Sequence, residues 1–326
     1  MQTKLDIANF PTKIEKMPAL SEELQKDIYI KRDDQTGTEF SGNKIRKLEY
    51  SLKEALDSGA KVVITCGGIQ SNHARATAAA AIKLGLKTIL VLRSDTPPVR
   101  EGNYFLDLLL GADVRIISSA DYRERRGEIM REIREESDRK GEKAYIIPEG
   151  ASNGIGSLGY ATAVAEILAQ EKETGLCFDT LVVPVGSGGT YAGLYLGNKL
   201  YKAGKDVIGF NVCDDADFFR NKSMEIIAES LPYLDNPDVA YGTGDMHIID
   251  GYVGRGYALS RPEELAFLKK IAVADGVIFD PVYTGKALYG LYHEIKKGNL
   301  KESNHILFIH TGGLFGLFPK QDEFSL

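Results

Sequence analysis

The sequence predicts an α/β protein with two open, twisted parallel sheets flanked by helices. Short apolar runs recur along the chain and alternate with longer segments of helical periodicity, which is typical of parallel strands buried on both faces. The runs form two series, separated by a stretch rich in turn-forming residues near position 150. At 326 residues the chain is also long enough for two domains.

The apolar runs give the expected strands in chain order. The first series predicts strands over residues 62–66, 88–92, 114–117 and 144–147. The second predicts strands over residues 180–185, 207–212, 276–279 and 306–309. An earlier run at 27–31 is a strand that could belong to either sheet. Because the turn-rich segment 148–156 is the expected crossover, we place a smaller domain over residues 47–153 and a larger one over 1–46 plus 154–326.

The composition excludes several classes of partner. The net charge of −6 and the lack of a dense Lys/Arg tract argue against nucleic acid, and no apolar run approaches the ~20 residues that span a bilayer. Three widely spaced cysteines support neither a disulfide framework nor a metal site. The N-terminal residues lack the features of a secretory signal, so we expect a cytoplasmic protein.

A glycine-rich loop, G-S-G-G-T-Y-A-G at residues 186–193, follows one of the predicted strands and opens a helix. Glycines let backbone amides approach an anion closely, and a helix N-terminus adds free N–H donors and a favourable dipole. The loop lacks the spacing of a nucleoside-triphosphate loop or a dinucleotide fingerprint. It predicts either a phosphate cradle or merely a tightly packed turn.

A second segment, residues 40–50, places Lys44 directly after a Gly-Asn turn, with Arg46 and Lys47 in the next helical turn. A lysine that is desolvated or crowded by positive charge has its neutral, nucleophilic form favoured, as Schiff-base chemistry requires. The alternative is a basic helix start on the surface.

Two motifs resemble the family of 1-aminocyclopropane-1-carboxylate deaminases and D-cysteine desulfhydrases. They are S-G-N-K-I-R-K-L-E at residues 41–49 and G-G-I-Q-S-N-H at residues 67–73. Proteins of this family are fold-type II pyridoxal-phosphate enzymes, related to the tryptophan synthase β subunit. The resemblance extends from residue 30 to residue 313, although Ser41 departs from the family's usual glycine. It implies a pyridoxal 5'-phosphate cofactor, a small amino-acid substrate and a homodimer.

The resemblance also assigns roles to residues. It implies that Lys44 forms the Schiff base and that Asn72 bonds the phenolic oxygen of the cofactor. It implies that Ser71, Asn72 and the adjoining main chain bind the substrate carboxylate. The phosphate would be held by Lys47 together with Gly186, Ser187, Gly188, Gly189 and Thr190.

The segment Gln70, Ser71, Asn72 and His73 follows a predicted strand and opens a helix expected over residues 74–84, so its own position favours an anion site. Ser71 could instead simply cap that helix. His73 could contact substrate or be a hydrogen-bonded structural residue.

Two threonines favour desulfhydrase over deaminase chemistry. The resemblance implies that the deaminases have a glutamate against the pyridine nitrogen at the position of Thr284. It implies that they have a leucine at the position of Thr311. A hydroxyl would leave that nitrogen largely unprotonated, a weaker electron sink that still suffices when a good leaving group departs from Cβ. Thr284 could also act as a helix N-cap. Tyr257 and Tyr283 are expected near the substrate.

These inferences predict elimination of sulfide from D-cysteine to give pyruvate and ammonia, with Lys44, Ser71 and Tyr283 as the catalytic set. Lys44 is expected to bind the cofactor and then act as the base at Cα. Alternatives are action on L-cysteine, cysteate or another β-substituted alanine, cyclopropane-ring deamination, and a cofactor carrier without activity. A nucleotide-dependent oxidoreductase is disfavoured because its fingerprint is absent.

Overall fold

The computed structural model describes residues 2–235 and 238–325. Its strands are β1 (Ile14–Lys16), β2 (Asp27–Lys31), β3 (Val62–Gly68), β4 (Lys87–Arg93), β5 (Asp113–Ile117), β6 (Ala144–Ile146), β7 (Thr180–Val185), β8 (Asp206–Asn211), β9 (His247–Ile249) and β10 (His305–Ile309). Its α-helices are α1 (Pro18–Leu24), α2 (Lys44–Asp57), α3 (Asn72–Lys83), α4 (Gly102–Leu109), α5 (Ser119–Arg139), α6 (Gly154–Thr174), α7 (Gly189–Leu200), α8 (Ala216–Ser230), α9 (Pro262–Asp275), α10 (Thr284–Lys297) and α11 (Leu314–Leu317).

The larger sheet has the strand order β1-β2-β10-β7-β8-β9. All its pairings are parallel except the edge pair β1–β2. Alternate side chains of each strand enter different cores: Leu181 of β7 packs with α6, α7 and α8, whereas its neighbour Val182 packs with α1, α9 and α10. Because both faces are covered, the strands are continuously apolar rather than alternating.

The smaller sheet has the order β5-β4-β3-β6 and is parallel throughout. Helices α2 and α3 pack on one face through Val63, and α5 packs on the other through Val62 and Ile64. Two parallel sheets flanked by helices confirm the predicted fold class. The domain boundaries at residues 47 and 153 stay a prediction, with which this sheet membership agrees.

Eight of the nine predicted strands are present, and the run at 27–31 belongs to the larger sheet as β2. The strand predicted over residues 276–279 is wrong. Gly276 follows the last residue of α9 in a left-handed conformation, and residues 277–279 join no ladder in the described chain. Val277 and Phe279 are buried there, whereas Ile278 between them is exposed. The apolar character of the segment arises because Val277 and Phe279 pack into the core beneath α10. The short edge strands β1 and β9 were not predicted.

The sheets are oriented so that loops after β3, β4 and β6 of the smaller sheet meet loops after β7 and β10 of the larger one. In parallel sheets this carboxyl edge gathers helix N-termini and loops, and it is the usual place for ligands. The motifs at residues 67–73 and 186–190 both lie there.

Candidate active site

A cavity of about 280 Å³ lies between the two sheets at this edge. Most of the predicted site residues line it: Lys44, Ser71, Asn72, His73, Gly186, Ser187, Gly188, Thr190, Tyr257, Tyr283 and Thr311. Four others, Gln70, Lys47, Gly189 and Thr284, lie outside the lining.

Lys44 begins α2 and reaches the cavity. Its Nζ donates to Oδ1 of Asn43 at 3.1 Å and lies 5.9 Å from the ring centroid of Tyr283. Burial lowers the pKa of Lys44 to about 8, although the carboxylates of Asp280 and Glu149 oppose the shift. The fraction of neutral amine near physiological pH is therefore much larger than for an ordinary lysine, and the neutral amine is the form that attacks a carbonyl carbon.

The glycine loop connects β7 to α7 with its backbone open to the cavity. Gly188 has φ of +84°, which favours glycine. A Cβ at Gly186 would lie 3.0 Å from the ring of Tyr283, and one at Gly189 would lie 2.7 Å from Oγ of Ser152. Side chains are thus excluded where the helix N-terminus presents its amides, as an anion cradle requires.

Lys47 lies behind this cradle and is fully buried. Its Nζ donates to Oγ of Ser152 at 3.3 Å, and that hydroxyl is also bonded to Ser187 at 2.8 Å. Burial, reinforced by the charge of Lys44, holds the pKa of Lys47 well below its usual range. Within the described chain no carboxylate lies within 4 Å of its ammonium. A phosphate group at the cradle would supply the missing anion, so these residues fit a phosphorylated ligand.

The loop before α3 presents donors to the same cavity. Ser71 caps the helix by accepting from the amide of Ala74 at 3.1 Å, which leaves its hydroxyl hydrogen free to donate. Asn72 accepts from Nδ2 of Asn103 at 2.9 Å, so its own amide N–H groups remain available. The side chain of Gln70 is bonded instead to the backbone of Asn103 and Glu101, and the structure does not bring it to the cavity.

His73 is buried and neutral, because burial and the charges of Lys44 and Lys47 hold its pKa well below the usual range. Thr65 donates its hydroxyl hydrogen to the carbonyl of Ile147 and can therefore only accept from Nε2 of His73, at 2.7 Å. This arrangement leaves Nδ1 of His73 as an acceptor without a partner in the described chain. His73 is thus bound within the protein through Nε2, whereas its Nδ1 is a buried acceptor.

The opposite wall carries two tyrosines whose hydroxyls are hydrogen-bonded to each other, Tyr257 and Tyr283. Thr311 follows β10, and its carbonyl accepts from the amide of Asn43 at 3.1 Å. Thr284 does not line the cavity: its side chain is fully buried and its hydroxyl donates to Asp280, so its role toward the cofactor stays a prediction.

Several lining or supporting residues were not anticipated. Asn43 links Lys44 to the glycine loop by donating to Thr190 at 2.9 Å, and Ser152 links that loop to Lys47. Asn43 adjoins the lysine motif and was within reach of sequence reasoning. The cavity is also lined by Arg93, Tyr122, Arg126 and Glu149. These residues belong to no sequence motif, and they meet at the cavity only because the chain folds.

Comparison with known proteins identifies the family. The model of a family described as pyridoxal-phosphate dependent enzyme matches residues 5–312. The chain belongs to the pyridoxal-phosphate dependent enzymes. Pyridoxal 5'-phosphate is accordingly the cofactor, and the anion cradle with the buried amine of Lys44 nearby fits its phosphate and its aldehyde.

Curated relatives carry two kinds of name. An Arabidopsis thaliana mitochondrial protein named bifunctional D-cysteine desulfhydrase/1-aminocyclopropane-1-carboxylate deaminase is 43% identical over 98% of this chain and 80% of its own length. A putative 1-aminocyclopropane-1-carboxylate deaminase of Thermotoga maritima is also 43% identical, over 97% of this chain and 98% of its own. A D-cysteine desulfhydrase of Yersinia enterocolitica is 37% identical over 97% and 95%. The resemblance seen in the motifs is confirmed.

Solved structures agree with this assignment. An ACC deaminase homologue superposes with a TM-score of 0.90 at 41% identity, covering 98% of this chain and 94% of its own. A maize serine racemase superposes with a TM-score of 0.64 at 18% identity, covering 96% and 93%, which supports the fold alone. Among the described residues no helix has the length and apolarity needed to cross a membrane.

Proposed function

We propose that the enzyme is a lyase that eliminates sulfide from D-cysteine and, with uptake of one water molecule, gives pyruvate and ammonia. The observation that carries the proposal is the buried Lys44 amine, with its lowered pKa, lying in one cavity with the free donors of Ser71 and Asn72. A base and a carboxylate-binding loop are the two elements that α,β-elimination needs from the protein. Relatives named D-cysteine desulfhydrase support the choice of substrate.

The cofactor would be held at both ends by residues already described. Gly186, Ser187, Gly188, Gly189 and Thr190 with Lys47 bind its phosphate, while Lys44 binds its aldehyde and Asn72 its phenolic oxygen. When bound, pyridoxal phosphate supplies an electron sink for the carbanion that forms at the substrate Cα.

The remaining steps belong to side chains around the substrate. Ser71 and the amides at the start of α3 would bind the carboxylate. The Lys44 amine would be free to remove the Cα proton once the substrate's own amine had taken its place on the cofactor. The Tyr257–Tyr283 pair lines the same cavity and would donate a hydrogen bond to the departing sulfide, which leaves as an anion. Burial raises the pKa of Tyr257 to about 12 and that of Tyr283 well above its usual value, so both phenols stay protonated. Since the two hydroxyls are bonded to each other, one hydroxyl hydrogen of the pair remains to donate.

A β-substituted alanine with an acidic leaving group, such as cysteate, is the second candidate. Arg93 ends β4 and lines the cavity, and Arg93 and Arg126 lie on the ring of Tyr122, at 5.2 Å and 5.1 Å from its centroid. Arg126 is 4.0 Å from Glu149, whereas Arg93 has no carboxylate within 4 Å in the described chain. Its free guanidinium could hold a sulfonate or phosphate.

One side-by-side assay tests these candidates. We expect the holoenzyme to release pyruvate and sulfide chiefly from D-cysteine, with less from L-cysteine. Pyruvate and sulfite from cysteate would favour the second candidate instead. Release of 2-oxobutyrate from 1-aminocyclopropane-1-carboxylate as the main activity would overturn the assignment to elimination, and turnover of none of them would leave a cofactor carrier.

We also propose that the enzyme is a homodimer. Exposed apolar side chains on neighbouring elements support it. Helix α4, which carries the exposed Phe105 and Leu109, packs against α11, which begins with the exposed Leu314 and is followed by the exposed Phe318. Exposed apolar side chains that are close together often mark protein interfaces. Light scattering during size-exclusion chromatography tests the proposal, and a mass of 35.8 kDa would contradict it.

A further inference from the structure

Lys286 is a buried lysine on α10 whose ammonium is held by backbone carbonyls. It donates to the carbonyls of Gly256 at 2.7 Å and Leu259 at 3.0 Å, and also to that of Val253. All three belong to the loop that carries Tyr257. The residue is 1% exposed, so water does not solvate the charge.

No carboxylate neutralises this ammonium at close range. Within the described chain none lies within 4 Å of it, and the nearby Glu264 is engaged by Arg261 at 2.9 Å. Burial lowers the pKa of Lys286, and the opposing effect of the Glu264 carboxylate is smaller than that of burial. Three convergent carbonyl dipoles therefore replace both water and a counter-ion, as carbonyl oxygens do around a dehydrated monovalent cation.

The loop needs such support because Ala258 adopts an unfavourable conformation, with φ of +58°. The positive φ of Gly254 and Gly256 carries no such cost, since glycine adopts it readily. A left-handed residue with a side chain persists only when its surroundings enforce it. The ammonium fixes the carbonyls on both sides of Tyr257 and so determines where that side chain points.

We propose that Lys286 is a positioning residue whose ammonium acts as a built-in monovalent cation, locking the Tyr257 loop onto α10 so that Tyr257 meets Tyr283 in the active site. Tyr283 is the N-cap residue of α10, and Lys286 lies one turn further along the same helix. The N-terminal end of α10 thus positions both tyrosines: Tyr283 directly, and Tyr257 through the loop that Lys286 binds. The functional consequence rests on the proposed role of the tyrosine pair, whereas the structural one does not.

The test is cation rescue of Lys286→Ala holoenzyme. We expect kcat/KM for D-cysteine to fall roughly 10- to 100-fold, because a displaced Tyr257 no longer supports the reaction. K⁺ and NH₄⁺, which match the size of the lost ammonium, should restore activity saturably, and Li⁺ at equal ionic strength should not. Wild type should respond to none of the three.

Lys205→Ala is the matched control. Lys205 is also buried and directly precedes β8, at the end of the strand away from the active site, where it pairs with Glu171 at 2.6 Å and with the carbonyl of Phe178. Its loss should lower stability without a size-selective rescue of activity. If Lys286→Ala keeps full activity, or if Li⁺ rescues as well as K⁺, the proposal is overturned.

A spectroscopic readout separates this proposal from the proposed function. The ¹³Cζ resonance of Tyr257, assigned through Tyr257→Phe, should shift in Lys286→Ala and return with K⁺ even if D-cysteine is not the substrate. Should Lys286→Ala fail to fold in Na⁺-free buffer, refolding in K⁺ or NH₄⁺ but not Li⁺ supports the proposal. Failure to refold in any of them, with Lys205→Ala folding normally, contradicts it.

Discussion

The hydroxyl of Thr284 donates a hydrogen bond to the carboxylate of Asp280, and both side chains are buried. The same carboxylate accepts from the backbone amides of Val282, Tyr283 and Thr284. Asp280 thus organises the turn that begins α10 and presents Tyr283. Because the hydroxyl hydrogen is used here, Thr284 can offer only an acceptor in any other direction.

Replacing Thr284 tests this arrangement. Thr284→Val removes a hydrogen bond to a buried charge and should lower the free energy of unfolding by about 1.5–3 kcal/mol. Thr284→Ser keeps the hydroxyl and should stay close to wild type. Chemical denaturation of the three proteins in parallel measures the difference, and equal stability of Val and wild type would show that the bond is not formed.

Thr284→Glu should depress sulfide release from D-cysteine. It places a second carboxylate beside Asp280 in a buried turn, and like charges there disfavour ionisation of one of them and disturb the helix start. Pyruvate formation by this variant, compared with Thr284→Gln of similar size, separates charge from volume. An unaltered rate in Thr284→Glu would mean that the position does not influence the chemistry.

Lys44→Ala should abolish the visible absorbance of the lysine-bound cofactor and all turnover, while the protein remains folded. The only hydrogen bond that the Lys44 ammonium makes in the described chain is to Asn43, and removing a buried charge relieves a desolvation cost. Lys53→Ala, on the same helix and paired with Asp57 near the surface, is the control. A retained absorbance band would assign the cofactor to another lysine.

Cofactor attachment should depend on pH through Lys44. With a pKa of about 8, roughly a tenth of the amine is neutral at pH 7, against roughly one part in 3,000 for a lysine at 10.5. The rate at which apoenzyme reacts with pyridoxal phosphate should rise with pH and level off above the pKa. Glu149→Gln removes a charge that raises this pKa, so the midpoint should move to lower pH; a midpoint near 10 in wild type contradicts the assignment.

What could be predicted from the sequence depended on local pattern. Strand β7 was predicted because both of its faces are buried and its sequence is therefore continuously apolar. Strands β1 and β9 were missed because they are three-residue edge strands, too short to show a hydrophobic pattern. The segment that contains Phe279 was wrongly predicted to be a strand, because a buried loop and a buried strand have the same composition. The motif at Lys44 is contiguous, but Ser152, Arg93 and Asp280 contribute through contacts made only after folding.

Arg93→Gln tests the second candidate substrate. If the Arg93 guanidinium holds an acidic leaving group, kcat/KM for cysteate should fall roughly 10- to 100-fold, as expected for one lost charge-assisted hydrogen bond, with little change for D-cysteine. Arg125→Gln, an exposed arginine on α5 bonded to Glu128 at 3.0 Å, is the control. A parallel loss with both substrates would instead make Arg93 a ligand of the α-carboxylate.

Gly189→Ala tests the phosphate cradle. The new methyl group would lie 2.7 Å from Oγ and 2.8 Å from Cα of Ser152, so Ser152 must move and release its contact with Lys47. Loss of about 1.4–2.8 kcal/mol of charge-assisted bonding would raise the Kd for pyridoxal phosphate roughly 10- to 100-fold. Gly242→Ala, where a methyl group meets no atom within 4 Å, is the matched control. Absorbance titration of the apoenzymes measures both constants, and an unchanged Kd in Gly189→Ala would place the phosphate away from the N-terminus of α7.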